Sequence, residues 1–275
     1  MEQWTKELTL AGYGIHSSVD FGERVRAAAA AGFTGLGLRA EDYRSALAQG
    51  WTDDGIAAHL AEHDLALTEV EYVTGWGSDT ERDAAQREKE STVFHMARRF
   101  GVAHVNVGLL ESFDEDTVAR ALRDLCDRAG ELVVGVEFMP YSGIPDVPSA
   151  LRAMDRSGRE NTGLIVDAWH WARSGSTAAS LEGLDPGRVV SVQLCDVLAT
   201  PMEPMRTESL HHRVLPGQGH GDVAGMLRAL DAHGIDPGLV SVEVISDELA
   251  SHGPREAARA AHGAALAVLR ETVHR

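Results

Sequence analysis

Two stretches decide the fold: Leu132-Val133-Val134-Gly135-Val136-Glu137-Phe138 and, one helix-period segment later, Gly163-Leu164-Ile165-Val166-Asp167. Each is a short β-branched run, too short for a buried helix, and each reaches a carboxylate after its apolar residues. Two such runs joined by an amphipathic segment form a β-α-β unit of a parallel sheet. The same alternation extends outward in both directions. Upstream lie Leu8 to Gly12, Gly35 to Arg39, Ala66 to Tyr72 and His104 to Gly108, and downstream Val189 to Leu194 and Leu239 to Val244. A helix candidate follows every strand. The first has Asp20 as its N-cap ahead of Phe21 and a glycine stop at Gly32, while Thr80 to Phe100 and Glu115 to Ala129 stop at Gly101 and Gly130.

Eight strand-helix pairs in about 250 residues predict an α/β fold, the (β/α)8 TIM barrel, rather than a doubly wound sheet with a second domain. No linker rich in Pro, Gly or Ser interrupts the chain, so a single domain over 1–275 is expected. The longest irregular segment, Asp196 to Asp222, follows the seventh strand, where a long loop belongs at a catalytic mouth.

Composition narrows the function classes. The chain has 275 residues, and 25 basic against 42 acidic residues give a formal charge of −17, which argues against nucleic acid or an anionic membrane as partner. Cys126 and Cys195 are too few for a disulfide framework and are expected to pack in the core. The segment Met1 to Lys6 has no leader pattern, and no run approaches the roughly 18 apolar residues of a membrane span. A cytoplasmic protein is therefore expected; a homo-oligomer is left open.

In a barrel, chemistry sits at the carboxyl ends of the strands, and the last four candidate strands reach Glu137, Asp167, Gln193 and Glu243 there. A carboxylate behind several apolar residues is costly to desolvate, and neighbouring carboxylates repel one another. A divalent metal relieves both problems. Helix capping is the plain alternative for any one of these residues, but it fits four consecutive strands poorly. Carboxylates with one amide oxygen form a hard donor set that favours Mn2+ or Mg2+, with Co2+ as a substitute.

Other polar residues surround this set. His170 stands three residues after Asp167, and Arg213 lies on the long seventh loop as a clamp for substrate oxygens. Gly217-Gln218-Gly219 is a weak phosphate-loop signal that most often marks a turn. His16, Arg39, Glu71 and Asn106 are expected to line the substrate pocket. Of Glu69 and Glu71 on strand three, one is expected on the pocket face and the other outward or structural. Trp76 offers either an apolar wall over the site or loop packing. Only Arg39, Arg213 and Arg206 are placed near the mouth, which favours a non-phosphorylated substrate.

With these residues in place, the chain resembles the xylose-isomerase-like barrel superfamily, within its sugar phosphate isomerase/epimerase group. The resemblance spans nearly the whole chain. It rests on Gly135-Val136-Glu137-Phe138, Val166-Asp167-Ala168-Trp169-His170 with Ser174-Gly175, Val192-Gln193-Leu194-Cys195-Asp196, Arg213-Val214-Leu215-Pro216-Gly217-Gln218-Gly219 and Ser241-Val242-Glu243-Val244. It implies metal ligation by Glu137, Asp167, Gln193 and Glu243 and substrate contact by His170 and Arg213. Ketose epimerases of the group have histidine where Gln193 stands; glutamine looks more like the 3-dehydroshikimate dehydratase branch. Related base-excision endonucleases need histidines where Glu71 and Asn106 stand, which with the −17 charge argues against DNA repair.

The activity implied is proton abstraction next to a carbonyl of a polyhydroxy substrate through an enediolate, with Glu137 and Glu243 as the acid/base pair and His170 assisting. Isomerisation or epimerisation is the leading outcome. Expulsion of a β-hydroxyl from the same intermediate makes a lyase, or dehydratase, the runner-up. A non-catalytic sugar-binding barrel is a third reading.

Overall fold

A computed structural model describes residues 7–78 and 82–273. The eight apolar runs form β1 (Leu8–Leu10), β2 (Gly35–Arg39), β3 (Ala66–Glu71), β4 (His104–Val107), β5 (Val133–Glu137), β6 (Thr162–Asp167), β7 (Val189–Leu194) and β8 (Val240–Val242). Every pairing is parallel, in the order β3-β2-β1-β8-β7-β6-β5-β4. Between β3 and β4 the ring is joined by Val73 pairing with Val107: the Val73 N–H donates to the Asn106 carbonyl and the Gly108 N–H to the Val73 carbonyl, both at 3.0 Å. The architecture is the TIM barrel that the alternation predicts.

The helices are α1 (Phe21–Ala31), α2 (Ala40–Ala48), α3 (Asp53–Glu62), α4 (Ala84–Phe100), α5 (Glu115–Ala129), α6 (Val147–Ser157), α7 (Ala168–Arg173), α8 (Met205–His211), α9 (Val223–Ala232), α10 (Asp247–Ser251) and α11 (Pro254–Val273). Asp20 caps α1 through the Glu23 N–H, and Gly32 ends it in the left-handed conformation that a side chain would resist. Strand residues Val134, Val136, Leu164, Val166, Val192 and Val242 are buried together with Leu122, Leu125, Met154, Leu227 and Leu230 of the helices, in one continuous apolar layer. Both cysteines are buried there as expected.

Several boundaries differ from the sequence reading. Gly12 opens a short 3-10 turn (Gly12–Gly14) instead of ending β1, and β8 stops at Val242, leaving Glu243 immediately beyond it. The Asp196 to Asp222 segment is not irregular throughout, because it carries α8. A buried carboxylate explains that order: Glu208 of α8 accepts the backbone N–H groups of Leu198 at 3.2 Å and Met202 at 3.1 Å, the Trp169 indole N–H at 3.3 Å and the Arg173 guanidinium. Helix α4 begins at Ala84 with Asp83 as its cap; Thr80 and Met1 to Lys6 lie outside the described residues. Among the described residues no helix is long and apolar enough to cross a membrane.

Candidate active site

Strand alternation turns every second side chain into the barrel. Glu69 and Glu71, two residues apart on β3, therefore share one face, and both are buried. This corrects the expectation that one of them points outward. Inside the barrel, Glu69 Oε1 accepts from Asn106 Nδ2 of β4 at 3.0 Å, Gln193 Nε2 of β7 at 3.2 Å and Ser241 Oγ of β8 at 3.4 Å. A polar layer thus crosses the barrel interior beneath the mouth.

Above it opens a cavity of about 200 Å3 lined by Glu71, Asn106, Glu137, His170, Gln193, Arg213 and Glu243. The strands bring these groups together by register: Glu137 lies beside Ile165, Asp167 beside Gln193, and Gln193 beside Ser241. Asp167 is buried behind the cavity wall, where Oδ1 caps α7 by accepting the His170 N–H at 2.8 Å. Capping and site geometry coincide in this residue. The turn of α7 then sets His170 Nε2 3.3 Å from Glu137 Oε1, with the imidazole edge-on to Trp169 and Tyr141. One ligand atom each from Glu137, Asp167 and His170 lies within 4.8 Å of the others, close enough to share a metal ion.

Arg213 reaches this wall from the long loop with its guanidinium already committed. Nη1 stands 2.8 Å from both Asp167 Oδ2 and Glu243 Oε2, and Nε donates to the Ser209 carbonyl at 2.8 Å. Burial alone would depress this guanidinium, but Asp167, Cys195 and Glu243 outweigh it and hold the proton more firmly than usual. The carboxylates show the converse imbalance. Burial, then the charge of Glu69, push the Glu71 carboxyl well above its ordinary range. Glu243 is also raised by burial and by Glu137, Asp167 and Glu69, in spite of Arg213.

The remaining sequence-predicted residues separate into two groups. Glu71 and Asn106 line the cavity, whereas His16 and Arg39 line a neighbouring one of about 290 Å3, which shares Tyr13, Leu210 and Ile245 with it. Arg39 is bidentate to Asp42, at 2.6 and 2.8 Å, and packs over Tyr13. Trp76 is a correction: it is buried in the loop after β3, its indole N–H donating to the Gly108 carbonyl at 2.9 Å, so it is core packing and lines neither cavity. The Gly217 to Gly219 stretch is a turn. Asp196 accepts the N–H groups of Val197 at 2.8 Å, Gly219 at 3.0 Å and Gly221 at 2.8 Å, and a Cβ on Gly219 would lie 2.4 Å from the Val197 carbonyl oxygen. Within the stretch, the Gly219 N–H is taken by Asp196 and the Gln218 N–H donates to the Leu215 carbonyl at 3.0 Å.

Sequence reasoning missed Tyr13, Tyr72, Lys89, Met139 and Tyr141 in the main cavity wall. They come from loops and from α4, where no local pattern marks them. Arg206, singled out for the mouth, does line it. Period-two alternation, which puts Glu69 and Glu71 on one strand face, is the signal that could have placed Glu69 inside the barrel.

Comparison with known proteins agrees with this layout. A family model described as xylose isomerase-like TIM barrel matches residues 25–272. An inosose isomerase of Halalkalibacterium halodurans is 28% identical over 138 residues, covering 50% of this chain and 48% of that protein. A 3-dehydroshikimate dehydratase of Pseudomonas aeruginosa is 26% identical over 233 residues, covering 82% of this chain and 36% of that protein. The chain thus spans half or less of the length of these curated relatives. Among solved structures, the IolI protein with a bound zinc atom superposes with a TM-score of 0.86 at 19% identity, covering 97% of this chain and 99% of that one.

Proposed function

The chain belongs to the xylose isomerase-like TIM barrel family, and from that premise we propose that it is a divalent-metal-dependent isomerase or epimerase. It removes a proton from the carbon next to a carbonyl in a small polyhydroxy substrate. The observation that carries this reading is the convergence of Glu71, Glu137, Asp167 and Glu243 at one barrel mouth, with Glu69 buried beneath them and Arg213 as a buried guanidinium counter-charge. So many carboxylates in so little water call for further positive charge.

The residues present fit a hard divalent ion. Carboxylate oxygens of Glu137, Asp167 and Glu243 and the amide oxygen of Gln193, buried without a hydrogen-bond partner, would hold it. Mn2+ or Mg2+ suits that set, and Co2+ would substitute. When bound, such an ion supplies Lewis-acid polarisation of the substrate carbonyl. The inosose isomerase relative and the zinc-containing structural neighbour support both halves of the assignment.

The chain's own groups account for the proton transfers. Glu137 and Glu243 form the acid/base pair, and burial beside Glu137, Asp167 and Glu69 raises the proton affinity of Glu243 in spite of Arg213, as suits a group that takes up and returns a proton. His170 Nε2, 3.3 Å from Glu137 Oε1, passes a proton to or from that carboxylate. The Tyr72 phenol, kept protonated by burial and by the charge of Glu137, is a donor for a substrate oxygen. Glu71 and Asn106 offer buried unpartnered oxygens to substrate hydroxyls, and Lys89 and Arg206 supply positive charge to the same cavity wall.

A second reading is favoured by Gln193 and by the dehydratase relative that covers most of this chain. A hydroxyl β to the abstracted proton would leave as water, with His170 or a protonated glutamate supplying its proton. Proton NMR in D2O of the Mn2+-treated, then Mg2+-exchanged protein decides between the two. The panel is ketoses, hydroxypyruvate, inososes and 3-dehydroshikimate. Deuterium entering beside the carbonyl without loss of water supports the isomerase or epimerase; a new vinyl or aromatic signal supports the dehydratase. Silence across the panel with metal bound points to a substrate outside the panel or to a non-catalytic sugar-binding barrel.

A further inference from the structure

We infer that Glu69 is a positioning residue that fixes the side-chain amide of Gln193, turning its oxygen into the mouth for the cation. The inference rests on the metal-centre reading above and assigns a role to a residue outside the proposed ligand set. Glutamine is an ambiguous ligand: one end of its amide donates and the other accepts, so its orientation must be imposed from outside. Here Glu69 imposes it. Its Oε1 takes Gln193 Nε2 at 3.2 Å and Asn106 Nδ2 at 3.0 Å, with Ser241 Oγ at 3.4 Å. Three donors from three strands on one oxygen establish that oxygen as an acceptor, so the amide nitrogens face inward. The opposite ends, Gln193 Oε1 and Asn106 Oδ1, are buried and have no partner, and both side chains line the mouth cavity. A buried acceptor left open is costly unless something binds there. A histidine at position 193 would need no such hold on an amide; the glutamine does.

The test uses the full chain, stripped of metal and titrated with Mn2+, with thermal unfolding as a check of folding. Glu69→Leu removes every acceptor at that position and lets the Gln193 amide turn, so Mn2+ affinity should fall about 10- to 100-fold. Adding Gln193→Glu to Glu69→Leu presents oxygen at either end of residue 193 and should restore affinity to within about threefold of wild type. A role in packing alone would not be rescued this way. Unchanged Mn2+ affinity in folded Glu69→Leu, or no recovery in the double variant, overturns the inference. The wild-type chain gives an independent readout: the Gln193 side-chain NH2, identified in 15N NMR by its loss in Gln193→Glu, should be protected from solvent exchange without metal. Free exchange overturns the inference whether or not Glu69→Leu folds. A protected amide in a chain that takes up no Mn2+ supports the Glu69 hold and overturns the metal-centre reading instead.

Discussion

Glu243 carries two obligations that pull in different directions: it is held at 2.8 Å by Arg213, yet burial and the surrounding carboxylates favour its protonated form. Replacing it by glutamine preserves shape and removes the titrating proton. Turnover of Glu243→Gln, and likewise of Glu137→Gln, should fall by about 10²-fold or more. Steady-state kinetics with the substrate found by NMR check this, and full activity in either variant would remove that residue from the acid/base pair. His104, at the start of β4, offers a stability prediction away from this chemistry. Burial lowers its pKa from 6.5 to about 4, so between these values the unfolded chain binds a proton that the native chain refuses. Stability therefore falls as pH drops through that window, by about 2 kcal/mol between pH 7 and pH 5. His104→Leu should abolish that part of the acid limb in urea unfolding; equal losses in both proteins would refute it. At this scale the sequence revealed the strand-end residues Glu137, Asp167, Gln193 and Glu243, because a polar group after an apolar run stands out. It concealed Tyr13, Lys89 and Tyr141, which reach the cavity from elements that meet it only in the folded chain.

Elements were legible where periodicity is strong. Helix α5 runs from Glu115 to Ala129 as its charged and apolar alternation predicts, and β2 and β7 match their apolar runs residue for residue. Helix α8 was not legible, since Met205–His211 has no apolar stripe to announce it. Its order depends on tertiary contacts of one carboxylate: Glu208 gathers two loop amides, Trp169 and Arg173. The next residue, Ser209, holds the Arg213 guanidinium through its carbonyl, so loop and site are coupled through one helical turn. Glu208→Ala leaves Arg173 and those amides without their acceptor and should destabilise the fold by about 3 kcal/mol. Urea unfolding measures it. A loss below about 1 kcal/mol would mean that solvent replaces the carboxylate and that the loop is organised by something else.

For the molecule as a whole, the closed ring of strands gathers the buried carboxylates from four staves, so the repulsion among them acts across the barrel. Glu69 and Glu71 come from β3, Glu137 and Asp167 from the ends of β5 and β6, and Glu243 follows β8. A cation held at that point opposes the repulsion on several strands simultaneously and binds only where those strands are assembled. Metal should therefore stabilise the native barrel by linkage, since the unfolded chain offers no comparable arrangement of donors. With Mn2+ at a hundredfold excess over its dissociation constant the gain is about 2.7 kcal/mol. For a chain of this size that corresponds to a rise in Tm of about 5 °C, lost on treatment with chelator and regained when Mn2+ is returned. Gln193→Leu, which keeps the volume but removes the amide oxygen, should shrink the rise while leaving the metal-free Tm close to that of the wild-type chain. Differential scanning calorimetry of the two proteins, each with and without Mn2+, makes the comparison. A Tm indifferent to Mn2+ in the wild-type chain would show that Arg213 and shared protons balance the mouth unaided, and the ligand assignment for Glu137, Asp167, Gln193 and Glu243 would fall with it.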